Sequence, residues 1–308
     1  MKRIIPLAAL ALVAGFFASS NPVSAQTIFS DNFDYYTSSN KVVAAGGPTT
    51  NGYSILFGPA AGTSAVDFTA VFGFDYSKVT FPIHIPSAPN SGGSTKGLFL
   101  TANKDATGVA CGVNLYPTNL VLNGNYVVKF DLWMNWTNTA TSTEHVLFGI
   151  NHSGALTNRV AQVGSDGIFF AMDGDGGQSP TTTGARDYSV FQGRGAGTAP
   201  LLLTLTSTPN YNTNAVLGTN FDNADAGFTN LFPAKTIAGY PTTPVGSMGL
   251  GWVSVEVRNI NTTNVITNPD TSTTTNYPAV VTWLMNNTII AQYTNTSIYT
   301  NGNTTATS

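Results

Sequence analysis

One cysteine, two glutamates and three histidines are all that this 308-residue chain holds of the side chains that most often staple, ligate or catalyse. With Cys111 alone, an intramolecular disulfide framework is excluded and stability must come from a packed core. Cys111 alternates in phase with Val109, Val113 and Leu115, a pattern that places it in that core. His145 and His152 do not have the spacing of a zinc pair, and His84, between Pro82 and Pro86, reads as an edge position. Charge is equally sparse, at 9% of residues with a net charge of −3. The basic residues beyond the N-terminus are scattered singly from Lys41 to Arg258, so no Lys/Arg stripe exists to follow a phosphate backbone, and no nucleic-acid partner is expected. The chain has no Gly-x-Ser-x-Gly elbow for a nucleophilic serine. Gly193-Arg194-Gly195-Ala196-Gly197 runs into Thr198-Ala199-Pro200 instead of a helix, which removes it as a nucleotide-binding turn.

Long apolar runs are missing too, apart from Ile4 to Phe17. That run follows Lys2 and Arg3 and precedes Val23-Ser24-Ala25, so residues 1–25 read as a secretory signal peptide cleaved after Ala25. It falls short of the roughly 20 residues that span a bilayer, and no later run is longer, so the expectation is a secreted or cell-surface protein with no membrane anchor in the mature chain. Loss of Lys2 and Arg3 makes the mature chain still more acidic.

What is abundant is alternation. After the leader no helical i, i+3, i+4 stripe persists, whereas short apolar or period-two runs bounded by Gly, Asn, Pro and Thr recur throughout. In Tyr126 to Trp136, Val128, Phe130, Leu132, Met134 and Trp136 share one face, and Val127, Lys129, Asp131 and Trp133 the other. In Trp252 to Arg258 the valines 253, 255 and 257 oppose Trp252, Ser254, Glu256 and Arg258. Further strands are expected at 66–74, 97–101, 109–115, 145–150, 167–172, 201–205, 279–284 and 289–293, with short ones near Ile28 and Tyr53. The segments 174–200 and 206–244 read as long loops, which favours them as places for a ligand site. These elements predict an all-β, two-sheet antiparallel β-sandwich with long loops, built as a single domain over residues 26–308. The polar tail from Asn301 to Ser308 reads as either a truncated or a frayed C-terminus.

Three stretches carry a family likeness. Ile28-Phe29-Ser30-Asp31-Asn32-Phe33-Asp34 forms an acidic-aromatic opening. Gly251 to Val257, with Val280 to Ala291 after a loop, pairs a tryptophan-led strand with one ending in an Asn turn. Gly167 to Gly174 is an apolar strand running into an acidic turn. Together they resemble the concanavalin A-like (laminin G-like) jelly roll of exported lectins, glycan-binding modules and hydrolases. The resemblance implies a jelly-roll sandwich and, as partner, a polysaccharide or cell-surface glycan; it fixes architecture better than activity. Hydrolases with this jelly roll typically carry Glu-x-Asp-x-x-Glu on one strand, which this chain lacks, so no catalytic residue is assigned.

Two clusters remain as candidate sites. Trp133 beside Asp131, and Trp252 beside Glu256, pair an aromatic ring with a carboxylate, the combination that stacks on a pyranose and takes its hydroxyl hydrogens; the alternative is burial of each tryptophan under a loop or between sheets. Asp173-Gly174-Asp175-Gly176-Gly177 resembles the start of a calcium loop that Asp187 could complete, against the alternative that Asp and Gly only shape a turn. The function expected is a secreted, non-catalytic glycan-binding or adhesion module, with structural calcium as its one candidate cofactor. The alternatives are a polysaccharide hydrolase or lyase using aspartates and a structural cell-envelope protein without a small ligand.

Overall fold

The computed structural model describes residues 26–36, 40–42, 52–58, 68–80, 83–102, 112–122, 124–136, 145–159, 164–173, 187–195, 197–203, 226–261, 264–267, 273–276 and 279–295. Two units are distinguished. In the first, which ends at Asp31, residues 26–31 carry no strand, contrary to the expectation near Ile28, and Ile28 and Phe29 are exposed. Alternation was too brief there to bury one face.

The second unit, from Asn32 onward, is antiparallel β structure with a single short helix among the described residues. In chain order its strands are β1 (Asn40–Val42), β2 (Tyr53–Gly58), β3 (Thr69–Asp75), β4 (Lys96–Thr101), β5 (Gly112–Pro117), β6 (Tyr126–Trp133), β7 (His145–Ile150), β8 (Ile168–Asp173), β9 (Tyr188–Gln192) and β10 (Leu201–Leu202). Helix α1 (Ala226–Leu231) follows, then β11 (Trp252–Asn261), β12 (Asn264–Thr267), β13 (Thr273–Asn276), β14 (Ala279–Met285) and β15 (Thr288–Asn295). None of the described helices is long and apolar enough to cross a membrane.

Two four-stranded sheets, ordered β10-β9-β8-β7 and β15-β14-β11-β6, stack on the main core. The chain leaves the second sheet after β6, builds all of the first as a meander, and returns to lay β11 beside β6. Period-two patterning explains how the layers meet. Val253, Val255 and Val257 of β11 are at most 2% exposed, and Val128, Phe130 and Leu132 of β6 pack against the same cluster. Across the layers Phe130 meets Phe148 edge to face at 5.4 Å, and Phe170 lies 6.4 Å from Trp283. At one edge Phe228 of α1 stacks on Tyr188 at 3.7 Å.

A second core, of Tyr36, Tyr53, Ile55, Ala70 and Phe72, gathers residues of β2 and β3, and Leu98, Val113 and Leu115 of β4 and β5 pack against it. Sheet β1-β3-β4 and ladder β2-β5 are the hydrogen-bonded parts around it. Pairing of β3 with β4 shifts register between Phe72 and Phe74. Gly73 at that bulge has φ +69°, and a Cβ there would lie 2.6 Å from Tyr36 Cβ, so glycine is required both for the turn and for the close approach.

Candidate functional site

Pairing of β6 with β11 brings the two candidate aromatic-carboxylate strands together. The register sets Trp133 opposite Trp252, Asp131 opposite Ser254, and Lys129 opposite Glu256. Because the inner faces of both strands are committed to the core, these three rungs form the outer face of the sheet. The tryptophan rings meet edge to face at 5.5 Å, and Trp252 makes a second such contact with Tyr76 at 5.2 Å. Tyr76 opens a single 3₁₀ turn (Tyr76–Lys78) capped by Asp75.

The strap formed by residues 83–95 binds this face. Trp252 Nε1 donates to Pro86 O at 2.8 Å, Tyr76 accepts from Ala88 N and donates to Ser94 O, and Ile85 is buried. Asn90 closes the contact: its N and Nδ2 donate to the Oδ2 and Oδ1 of Asp131, both at 2.8 Å, and Nδ2 also reaches Ser254 Oγ at 3.1 Å. Ser254 Oγ donates to Asp131 Oδ1 at 2.8 Å. Both indoles are half-exposed: Trp252 is tied to the strap through Pro86, whereas Trp133 Nε1 donates to Asn135 Oδ1 at 3.2 Å.

Glu256 does not share the aromatic environment. It pairs with Lys129 at 3.2 Å and with Arg258 Nε. Partial burial alone would push its carboxyl up, but the Arg258 and Lys129 hydrogen bonds and charges outweigh that and hold it below the ordinary value. It is an ion-pair anchor one rung beyond Asp131.

Of the calcium candidates, Asp173 ends β8 and Asp187 immediately precedes β9; both are buried, and Asp173 N donates to Asp187 O at 2.8 Å. Asp173 Oδ1 is in hydrogen-bond contact with His145 Nδ1 on β7. Asp175 and Cys111 lie outside the described residues. Among the described residues no group of three or more His, Cys, Asp or Glu side chains gathers in one place.

A polar network that the sequence did not suggest occupies the β7–β8 connection. Asp166 accepts from Asn158 Nδ2 at 3.0 Å, from Ser153 N at 2.7 Å and from the Ser153 hydroxyl, with His152 Nδ1 at 3.2 Å. Asn158 also donates to Tyr116 Oη at 2.7 Å and accepts from Asp166 N. The serine hydroxyl is spent on the carboxylate and not on the imidazole, so the arrangement ties His152, Ser153 and Asn158 to Asp166 and lacks the serine-histidine link of a nucleophilic triad. Its only sequence signal was His152 with a serine beside it, which metal spacing alone discarded.

Comparison with known families, with curated proteins and with solved structures returned no match to this chain. Fold and site define it as an antiparallel β-sandwich protein with an outer sheet face that carries paired tryptophans and charges of both signs.

Proposed function

We propose that the chain is a secreted, non-catalytic glycan-binding or adhesion module of concanavalin A-like jelly-roll type, and that its ligand contacts Trp133. The observation that carries this reading is a half-exposed indole braced edge-on by Trp252, with the Asp131 carboxylate one rung away on the same sheet face. A rigid aromatic surface stacks on the apolar face of a pyranose, and neighbouring acceptors take its hydroxyl hydrogens. The leader-like N-terminus and the weakly charged composition support an exported module that meets a polar partner.

Structural calcium at Asp173, Asp175 and Asp187 is part of the proposal, since Asp173 and Asp187 are adjacent through their backbones at the two ends of the 174–186 segment. Hard oxygen donors of this kind suit that ion. The test is a glycan array with pull-down on several insoluble polysaccharides, run with and without calcium, on the wild type and on Trp133→Ala. Binding that falls at least about tenfold in Trp133→Ala is expected, as for the loss of a central aromatic anchor. Retention of nothing on any glycan, in either condition, would remove the proposal.

A further inference from the structure

Resting on that reading, we infer that the Trp133 site selects neutral, hydroxyl-rich sugars over uronate or sulfate-bearing ones, and that Asn90 of the strap is its specificity-determining residue. The argument starts from the unused acceptors. Asn90 spends its N and Nδ2 on Asp131 and Ser254, which leaves Oδ1 as an acceptor on an exposed side chain. Asp131 Oδ1 takes two of those donors and Oδ2 one, so a carboxylate with about four lone-pair sites retains acceptor capacity. The groups beside the indole thus offer acceptors to a ligand and few donors, which fits hydroxyl groups and opposes anions.

Distance decides which charge matters. Asp131 is two residues from Trp133 along β6, about 7 Å, and Lys129 is four away, about 13 Å. The screening length at physiological salt is about 8 Å, so the negative charge of Asp131 acts on a ligand at Trp133 while the positive charge of Lys129 is largely screened. Lys129 and Arg258 moreover both converge on Glu256, Lys78 faces Asp75 at 3.5 Å near Tyr76, and Lys235 Nζ is held by the Gly249 carbonyl at 2.8 Å, so each of these cations is engaged away from the indole. On β6 the charge nearest the indole is Asp131, which an acidic sugar stacked on Trp133 would have to oppose.

The experiment is calorimetric titration of the full chain with a neutral hexose oligomer and with a uronic-acid oligomer of equal length, each over a salt series, on the wild type, Asn90→Ala and Trp133→Ala. Expected are tighter binding of the neutral oligomer, no dependence of that binding on salt, and about a fivefold loss in Asn90→Ala, the equivalent of one hydrogen bond. Thermal unfolding of Asn90→Ala checks that the fold persists; if it does not, the wild-type salt series and the neutral-to-acidic ratio still decide. Tighter binding of the uronate oligomer that weakens with salt yet is lost in Trp133→Ala would overturn the selectivity and leave the glycan site standing. Binding indifferent to Trp133→Ala, or no binding of either oligomer, would overturn both.

Discussion

Asp131 and Asp166 both gather several donors, yet they answer to different physics. Asp131 sits on a sheet face and ties a strap to it. Asp166 is more enclosed: burial pushes its carboxyl up, but hydrogen bonds from His152, Ser153 and Asn158, with the charge of His152, outweigh that and hold it well below the ordinary carboxylate range. A carboxylate whose folded pKa is depressed stabilises the fold fully above its unfolded value near 3.9 and loses that contribution as pH falls through the folded pKa. Thermal unfolding from pH 7 downward is therefore expected to show a Tm decline that begins near pH 4, with a shallower decline in Asp166→Asn because that variant has already lost the contribution. Identical acid profiles for the two proteins would mean that the network does not carry this linkage. At this scale the sequence showed the right tryptophans and carboxylates but not their company. Alternation alone put Trp133 with Asp131 and Trp252 with Glu256, whereas the register joins the two tryptophans and hands Glu256 to Lys129 and Arg258. Asn90, 41 residues before Asp131, carries no local signal at all, because its role exists only once a loop has crossed a sheet.

Strands were legible wherever one face is buried. The faces of β6 and β11 alternate as expected, although β6 ends at Trp133 and not Trp136 and β11 runs on to Asn261, and β7 matches its expected span, because period-two patterning is the direct imprint of a half-buried sheet. Misses fell where that imprint fails. Strand β9 was placed inside a long loop, since Tyr188, Ser189, Val190 and Phe191 are all buried and show no alternation. Helix α1 is too short to display a stripe and was absorbed into the 206–244 segment. Strands β1, β12 and β13 are short and polar, with little to distinguish them from turns. Strand β14, central in its sheet, supplies the element-level test. Trp283 is fully buried against the main core, and its Nε1 has no acceptor among the described residues. Trp283→Ala is expected to cost about 3–5 kcal/mol through the cavity it leaves. Trp283→Phe should cost only about 1–2 kcal/mol, because the smaller ring also removes a buried donor whose desolvation goes uncompensated. Denaturant unfolding of both variants measures the difference, and equal losses would show that the indole N–H is satisfied in solution.

Across the whole molecule, the β10-β9-β8-β7 meander is inserted between β6 and β11, so the outer face bearing Trp133 is assembled only after the chain has built the opposite layer and come back. That makes the site a product of long-range closure, and anything that fixes the connections of the meander stabilises the face through the common core. The 174–186 segment between β8 and β9 is one such connection, with Asp173 at its start and Asp187 at its end. A calcium ion bound only by the native state would raise stability by mass action, about 2.7 kcal/mol when free ion stands at 100 times Kd. Thermal unfolding in excess calcium and in chelator is expected to differ by several degrees under the proposal, and Asp175→Asn should abolish the difference while keeping the chelator-state Tm. A calcium-dependent rise that survives Asp175→Asn would move the ion to other ligands. Coincident curves at millimolar calcium would retire the ion and leave Trp133 and Asn90 as the residues through which this sheet face acts, since neither depends on the 174–186 segment for its hydrogen bonds.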